Sequence, residues 1–411
     1  MGSRVSEATR RGVQLPRAYW VLWTGTLVNR AGTFVEPFAV LYLTSQRRFS
    51  PSQVGLVLVA YGLGSAGSQL VGGWAADHVG RRATLVWGMT AAGLSLAALG
   101  AARGLVPICA AAFLVGLASD VYRPASNALV TDLVGPEQRR RAFALLFWAI
   151  NLGFSIAAVA AGYVAGVSYT LLFAIDAVTC VGFALVIFIG IRRDPARPAP
   201  NEHDRPAGYG TALRDPVMLA LAALTTLSTT VYFQNAITLP LAVTHNGLPP
   251  RAYGLILAVN GILIVVLQPL AVRLLRPFRR LRVLAVGSAL IGVGFWLTAF
   301  AQSVPAYAGT VVVWTLGEIA TAGLGASLVA DLAPVEARGR YAAVWGSSFG
   351  VAALFAPLLG TWTYQYLGPG ALWTGCLVVG MVVAAGFLAL APSVRRRTHS
   401  PTTSPSPAPG I

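Results

Sequence analysis

The chain has 411 residues, 56% of them hydrophobic and only 11% charged. Soluble proteins carry about 25% charged residues, so this balance excludes an ordinary soluble domain, and the apolar residues fall instead into blocks near the roughly 20 residues that cross a bilayer. The net charge of +16 invites a nucleic-acid reading, but the placement of the basic residues excludes that too.

Taken in order, twelve spans are expected near 19–43, 53–76, 83–102, 105–131, 142–166, 168–191, 217–243, 252–275, 283–301, 304–330, 341–366 and 370–391. Residues 1–18 form a basic lead segment, and the span behind it is too long and too polar-studded to be a cleavable signal. Residues 19–191 make one six-helix half and 217–391 a second. Between them, 192–216 is rich in Pro and charge and reads as a linker. The tail, 392–411, ends in Pro and Ser with nothing to bury and is expected to be disordered. If the first span leaves the cytoplasm, 24 of the 30 basic residues, all Arg, lie in cytoplasmic segments. That asymmetry puts both termini in the cytoplasm of a bacterial plasma membrane, with the lipid bilayer and not nucleic acid as the partner. Cys109, Cys180 and Cys376 sit in separate apolar runs, and His78, His203, His245 and His399 are scattered. No metal site and no cofactor are implied.

An internal repeat runs through the chain at a constant offset of 199 residues. Leu129-Val130-Thr131-Asp132-Leu133 returns as Leu328-Val329-Ala330-Asp331-Leu332, and Glu137, Arg139 and Arg141 return as Glu336, Arg338 and Arg340. Pro51, Gly55, Gln69 and Arg81 pair in the same way with Pro250, Gly254, Gln268 and Arg280. Apolar similarity alone does not keep polar residues in register over such a length. Six spans, a linker and six more in the same orientation make a parallel repeat, with a substrate site between the halves near mid-membrane.

Two soluble-enzyme motifs are set aside. Gly62-Leu63-Gly64-Ser65-Ala66-Gly67 fits a dinucleotide fingerprint, and Gly346-Ser347-Ser348-Phe349-Gly350 a nucleophile elbow. Both lie inside spans, where no strand-to-helix turn exists, so both read as small-residue helix packing.

The informative loop follows the second span: Gly73-Trp74-Ala75-Ala76-Asp77-His78-Val79-Gly80-Arg81-Arg82. It resembles the signature of the major facilitator superfamily, matching at Gly73, Ala76, Asp77, Gly80, Arg81 and Arg82 and departing at Ala75 and His78. Together with the spans and the repeat, the resemblance covers nearly the whole chain. It implies an all-α integral membrane fold of twelve transmembrane helices in two parallel-repeat six-helix halves. Gly80 permits a tight turn, the loop's charges can lock helix ends, and the acid ending the fourth span, the loop's usual partner, is Asp132. The second-half copy of the loop reads as decayed, with Arg276 in place of Asp77.

Charges inside spans are costly and mark function or internal pairing. Asp120 and Arg123 are helix neighbours in the fourth span, followed by Pro124, and resemble the region where the superfamily carries a buried Arg linked to proton transfer. The first span holds Asn29, Arg30 and Glu36. On a straight helix, residues 30 and 36 lie about 240° apart, so they are not obvious partners, and Pro37 is expected to kink the span beyond Glu36. Glu36 reads as a coupling acid or as a cap near the outer face. Glu318 is the lone acid in the second half's bilayer core. Asp176 in the sixth span reads as structural. Asn29, Phe34, Tyr232, Phe233, Gln234, Asn235 and Trp314, with Trp23, are candidate cavity residues, with plain packing as the alternative. The Gly-Pro-rich stretch common in the fifth span of exporters is replaced by Ala157-Ala158 and Ala161-Gly162, and its second-half counterpart reads Ala356-Pro357-Leu358-Leu359-Gly360.

The resemblance to drug–proton antiporters implies alternating access, and within it proton-coupled efflux of an amphipathic drug-like or natural-product molecule by a monomer, with proton-coupled metabolite uptake as the alternative. A polytopic membrane enzyme would need a nucleophile or metal constellation that the sequence lacks.

Overall fold

In the computed structural model the described residues are 15–191, 210–334 and 337–398. The tail beyond 398 and most of the linker lie outside them. Among the described residues every regular element is helical. Ten helices among the described residues are long and apolar enough to cross a membrane. The other two crossings are the 28-residue helix Pro51–His78 and a first span broken into Arg17–Ala31, Val35–Leu41 and a π-helical turn, Tyr42–Gln46.

Helix starts follow local chemistry. Ser50 and Gln53 form a reciprocal capping box ahead of Pro51, so two orphan N-terminal donors are satisfied and proline takes a position that needs none. Asp215 accepts from the Val217 and Met218 amides ahead of its own Pro216. Polar caps of this kind are worth roughly 0.5–2 kcal/mol each. The repeat is realised in the backbone: helices that start at Pro51, Arg81 and Leu105 return at Pro250, Arg280 and Val304, each 199 residues on.

Packing within each half rests on glycine. A Cβ on Gly64 would stand 2.0 Å from the Phe113 carbonyl oxygen, and one on Gly116 2.1 Å from that of Tyr61. The second and fourth spans therefore touch backbone to backbone, and the fingerprint-like glycines are helix packing as expected. Gly346 and Gly350 are different: a Cβ on either would meet nothing. The elbow-like stretch lies within the helix Arg338–Tyr366, but its glycines do not serve close approach. Ser348 instead donates to the Ala222 carbonyl of the seventh span.

Between the halves, the fifth span meets the eighth and the second meets the eleventh. Gly254 accommodates the Ala158 carbonyl, Gly261 the Ser155 hydroxyl, Gly55 the Thr361 hydroxyl and Gly62 the Ala353 carbonyl. Ser52 adds hydrogen bonds from its amide and hydroxyl to Gln365. All of these approaches lie in the membrane half away from the chain ends.

Candidate functional site

Four spans are interrupted: the first at 32–34, the fourth between Ser119 and Tyr122, the seventh at Phe233 and Thr238, and the tenth between Thr321 and Leu324. They occupy equivalent places in the two repeats. Broken helices at mid-membrane expose backbone polar groups where a ligand or ion can use them. The predicted charged residues sit at or within a turn of these breaks.

In the first span a Cβ on Gly32 would stand 2.3 Å from Thr179 Cγ2 of the sixth span, so only glycine lets the chain turn there. The helix resumes at Val35, whose amide donates to Asp176 Oδ2 at 3.0 Å. Asp176 is thus a cap supplied by another helix. Two expectations are corrected here. The break precedes Pro37, which falls in the first turn of the new helix and costs no hydrogen bond. Because the helix is interrupted, Arg30 and Glu36 do meet, at 3.9 Å. Arg30 also lies 4.6 Å over the Tyr122 ring, and its Nε has no hydrogen-bond partner among the described residues.

In the fourth span Arg123 Nε lies 2.9 Å from Asp120 Oδ1, and the Ser65 hydroxyl donates to the other carboxylate oxygen. Glu36, Asp120 and Arg123 all lie within electrostatic reach of Arg30.

The second half is built differently. Glu318 accepts from the Tyr232 hydroxyl at 2.8 Å and from Asn260 Nδ2 at 2.7 Å. Asn260 also bonds Thr315 at 3.0 Å. No ion pair to Glu318 is present among the described residues. The Tyr253 hydroxyl donates to the Asn235 carbonyl at 3.2 Å.

Of the cavity candidates, Tyr232, Phe233 and Asn235 are half-buried, as is Trp23, which donates to the Leu145 carbonyl. The others are spent on packing. Asn29 donates to Cys180 Sγ, Gln234 holds the Ala356 carbonyl and the Thr238 hydroxyl, Trp314 stacks on Phe295, and Phe34 is buried. Sequence reasoning missed Asn260, Ser65 and Tyr253. Asn260 had a legible signal, as the only amide in an otherwise apolar run, Leu255–Leu267.

At the loop, Gly80 has φ 113°, a conformation that side chains rarely adopt. Arg81 Nε lies 2.9 Å from Asp132 Oδ2 and its Nη1 donates to the Ala76 carbonyl. Arg82 donates to the Phe188 carbonyl at 2.8 Å and covers the Phe188 ring. The side chain of Asp77 and the surroundings of Gly73 lie outside what is described. In the second half, Arg280 pairs with Asp331, the two positions 199 residues beyond Arg81 and Asp132. The second loop therefore keeps the ion pair, although its Asp77 equivalent is lost.

The chain is 27% identical over 337 residues to the uncharacterized MFS-type transporter YqjV of Bacillus subtilis, covering 80% of this chain and 82% of that protein. It is 26% identical over 385 residues to the multidrug resistance protein MdtH of Aeromonas hydrophila, covering 90% and 94%. The crystal structure of an auto-inhibited POT family peptide transporter superposes with a TM-score of 0.80 at 16% identity, over 95% of this chain and 99% of that one, a likeness of fold. The model of the Major Facilitator Superfamily matches residues 22–246 and 219–410. Matched over both halves, the chain belongs to the Major Facilitator Superfamily and is a secondary transporter, not an enzyme.

Proposed function

We propose that this protein exports amphipathic drug-like or natural-product molecules across the bacterial plasma membrane in exchange for protons, working as a monomer with both chain ends cytoplasmic. The observation that carries the reading is the placement of Glu318 beside the broken seventh span, held by Tyr232 and Asn260. A carboxylate in hydrocarbon costs about 2.5–3.5 kcal/mol on insertion scales. With no ion pair to it among the described residues, Glu318 is free to exchange its charge against a proton, whereas Asp120 is held beside Arg123. Glu36, with Arg30 at 3.9 Å, stands between these cases.

The resemblance to a multidrug resistance protein favours efflux. The Ala158–Gly254 and Ser155–Gly261 approaches supply a small-residue seam along which the halves can rock. With the chain ends cytoplasmic, that seam lies in the outer half of the membrane.

Everted vesicles carrying a respiration-driven pH gradient test the reading. Adding an amphipathic substrate such as ethidium or norfloxacin should release protons, and the substrate should accumulate. Glu36→Gln or Glu318→Gln should abolish uphill accumulation while leaving downhill exchange. No proton release with any of these compounds, or uphill transport unchanged in both variants, would refute the assignment.

A further inference from the structure

The loop between the eighth and ninth spans, taken with the helix ends that flank it, Val272 to Arg282, carries five arginines in eleven residues. Arg273, Arg276, Arg279 and Arg282 are exposed, and no ion pair to any of them is present among the described residues. Arg280 alone is paired, to Asp331. Phe278, at the tip, is 62% exposed. The repeat shows what changed: in the same register the first-half loop has Trp74, Asp77, Val79 and Gly80 where this one has Arg273, Arg276, Phe278 and Arg279. The turn changes with the sequence, since Arg279 has φ −65° where Gly80 has 113°. The second loop has thus given up the acid and the glycine turn while keeping the Arg280–Asp331 pair.

We propose that this loop is a docking site for anionic phospholipid headgroups. Its position supports a lipid occupant over a soluble polyanion. The eighth span ends at Leu275 and the ninth begins at Arg280, so the arginines lie at headgroup depth. An exposed phenylalanine among them matches the aromatic residues that anchor proteins at that level. Basic residues beside a span attract anionic lipid by about 1 kcal/mol each, roughly fivefold in affinity per arginine. Arg280 lies within this stretch and pairs with Asp331, so bound lipid would bear on that pair.

The test uses the full-length protein in neutral-detergent micelles doped equally with phosphatidylglycerol and phosphatidylcholine, with retained lipid read by native mass spectrometry. Phosphatidylglycerol should be retained at least tenfold over phosphatidylcholine, and the preference should weaken from 50 to 500 mM salt as screening grows. Arg273→Gln/Arg276→Gln/Arg279→Gln/Arg282→Gln should abolish the preference. Arg276→Gln and Arg282→Gln alone should each lower it about fivefold, which keeps the test open if the quadruple variant does not fold. Arg48→Gln/Arg103→Gln/Arg251→Gln, removing charge from the opposite face, should leave it intact. Equal retention of both lipids, an unchanged preference in the loop variants, an equal loss in the opposite-face control, or tight binding of a short oligonucleotide without phosphatidylglycerol would each overturn the proposal.

Discussion

A single charge near a membrane boundary is decided by its partner. Asp132 is 8% exposed and Arg81 12% exposed as side chains, at 2.9 Å. Removing one member of such a pair leaves an uncompensated charge and costs about 3–5 kcal/mol. Arg81→Ala should therefore lower the thermal unfolding midpoint in detergent sharply, and Arg81→Gln with Asp132→Asn should recover much of it. If the double variant is no more stable than Arg81→Ala, the pair is not what holds this corner. Asp215 makes a comparable junction where the seventh span begins. Burial opposes its charge, but hydrogen bonds from Arg397, Tyr341 and the Met218 amide outweigh this and hold its carboxyl below the usual range. Its stabilising contribution is accordingly complete above its unfolded value near 3.9 and is lost as pH falls through the lower folded value. Asp132 was legible as a partner because the loop motif names it. The Asp215–Tyr341–Arg397 junction was not, because its three residues are 126 and 182 positions apart.

At the scale of the helix, the interruptions matter more than the spans. Gly32→Ala should fail to fold or lose transport, because the added Cβ would stand 2.3 Å from Thr179 Cγ2 and 2.7 Å from its Cβ. Thr179→Gly in the same chain should restore function in part, since it removes both atoms. A Gly32→Ala protein with normal expression and transport would show that the turn has room to relax. Asp176→Ala should cost about 0.5–2 kcal/mol through loss of the cap on Val35 and loosen the contact between Arg30 and Glu36. Hydropathy detects these segments as spans but does not mark where they break. The first break is set by an acid 141 residues away and by a threonine on the same neighbouring helix, so no local pattern carries it.

For the whole molecule, alternating access requires the seam between the halves to open. In a background without Cys109, Cys180 and Cys376, cysteines at Ser52 and Gln365 joined by a short bifunctional reagent should block transport until the link is cleaved. Transport that continues in the linked protein would mean that the halves do not part there. A lone cysteine at Asn201 should react only with membrane-permeant reagents in intact cells, and labelling by an impermeant one would reverse the assigned orientation.

Span number, the two halves, their parallel repeat and the loop signature followed from the sequence, because hydrophobic length and polar register are local properties that the bilayer enforces on each segment separately. Which acids carry a fixed cation did not. Arg30 and Glu36 meet only because the helix between them is interrupted, and Glu318, which makes no ion pair among the described residues, is held instead by Tyr232 and Asn260. Those neighbours come from other helices, and their approach depends on glycines whose missing Cβ atoms take effect only when the spans pack together.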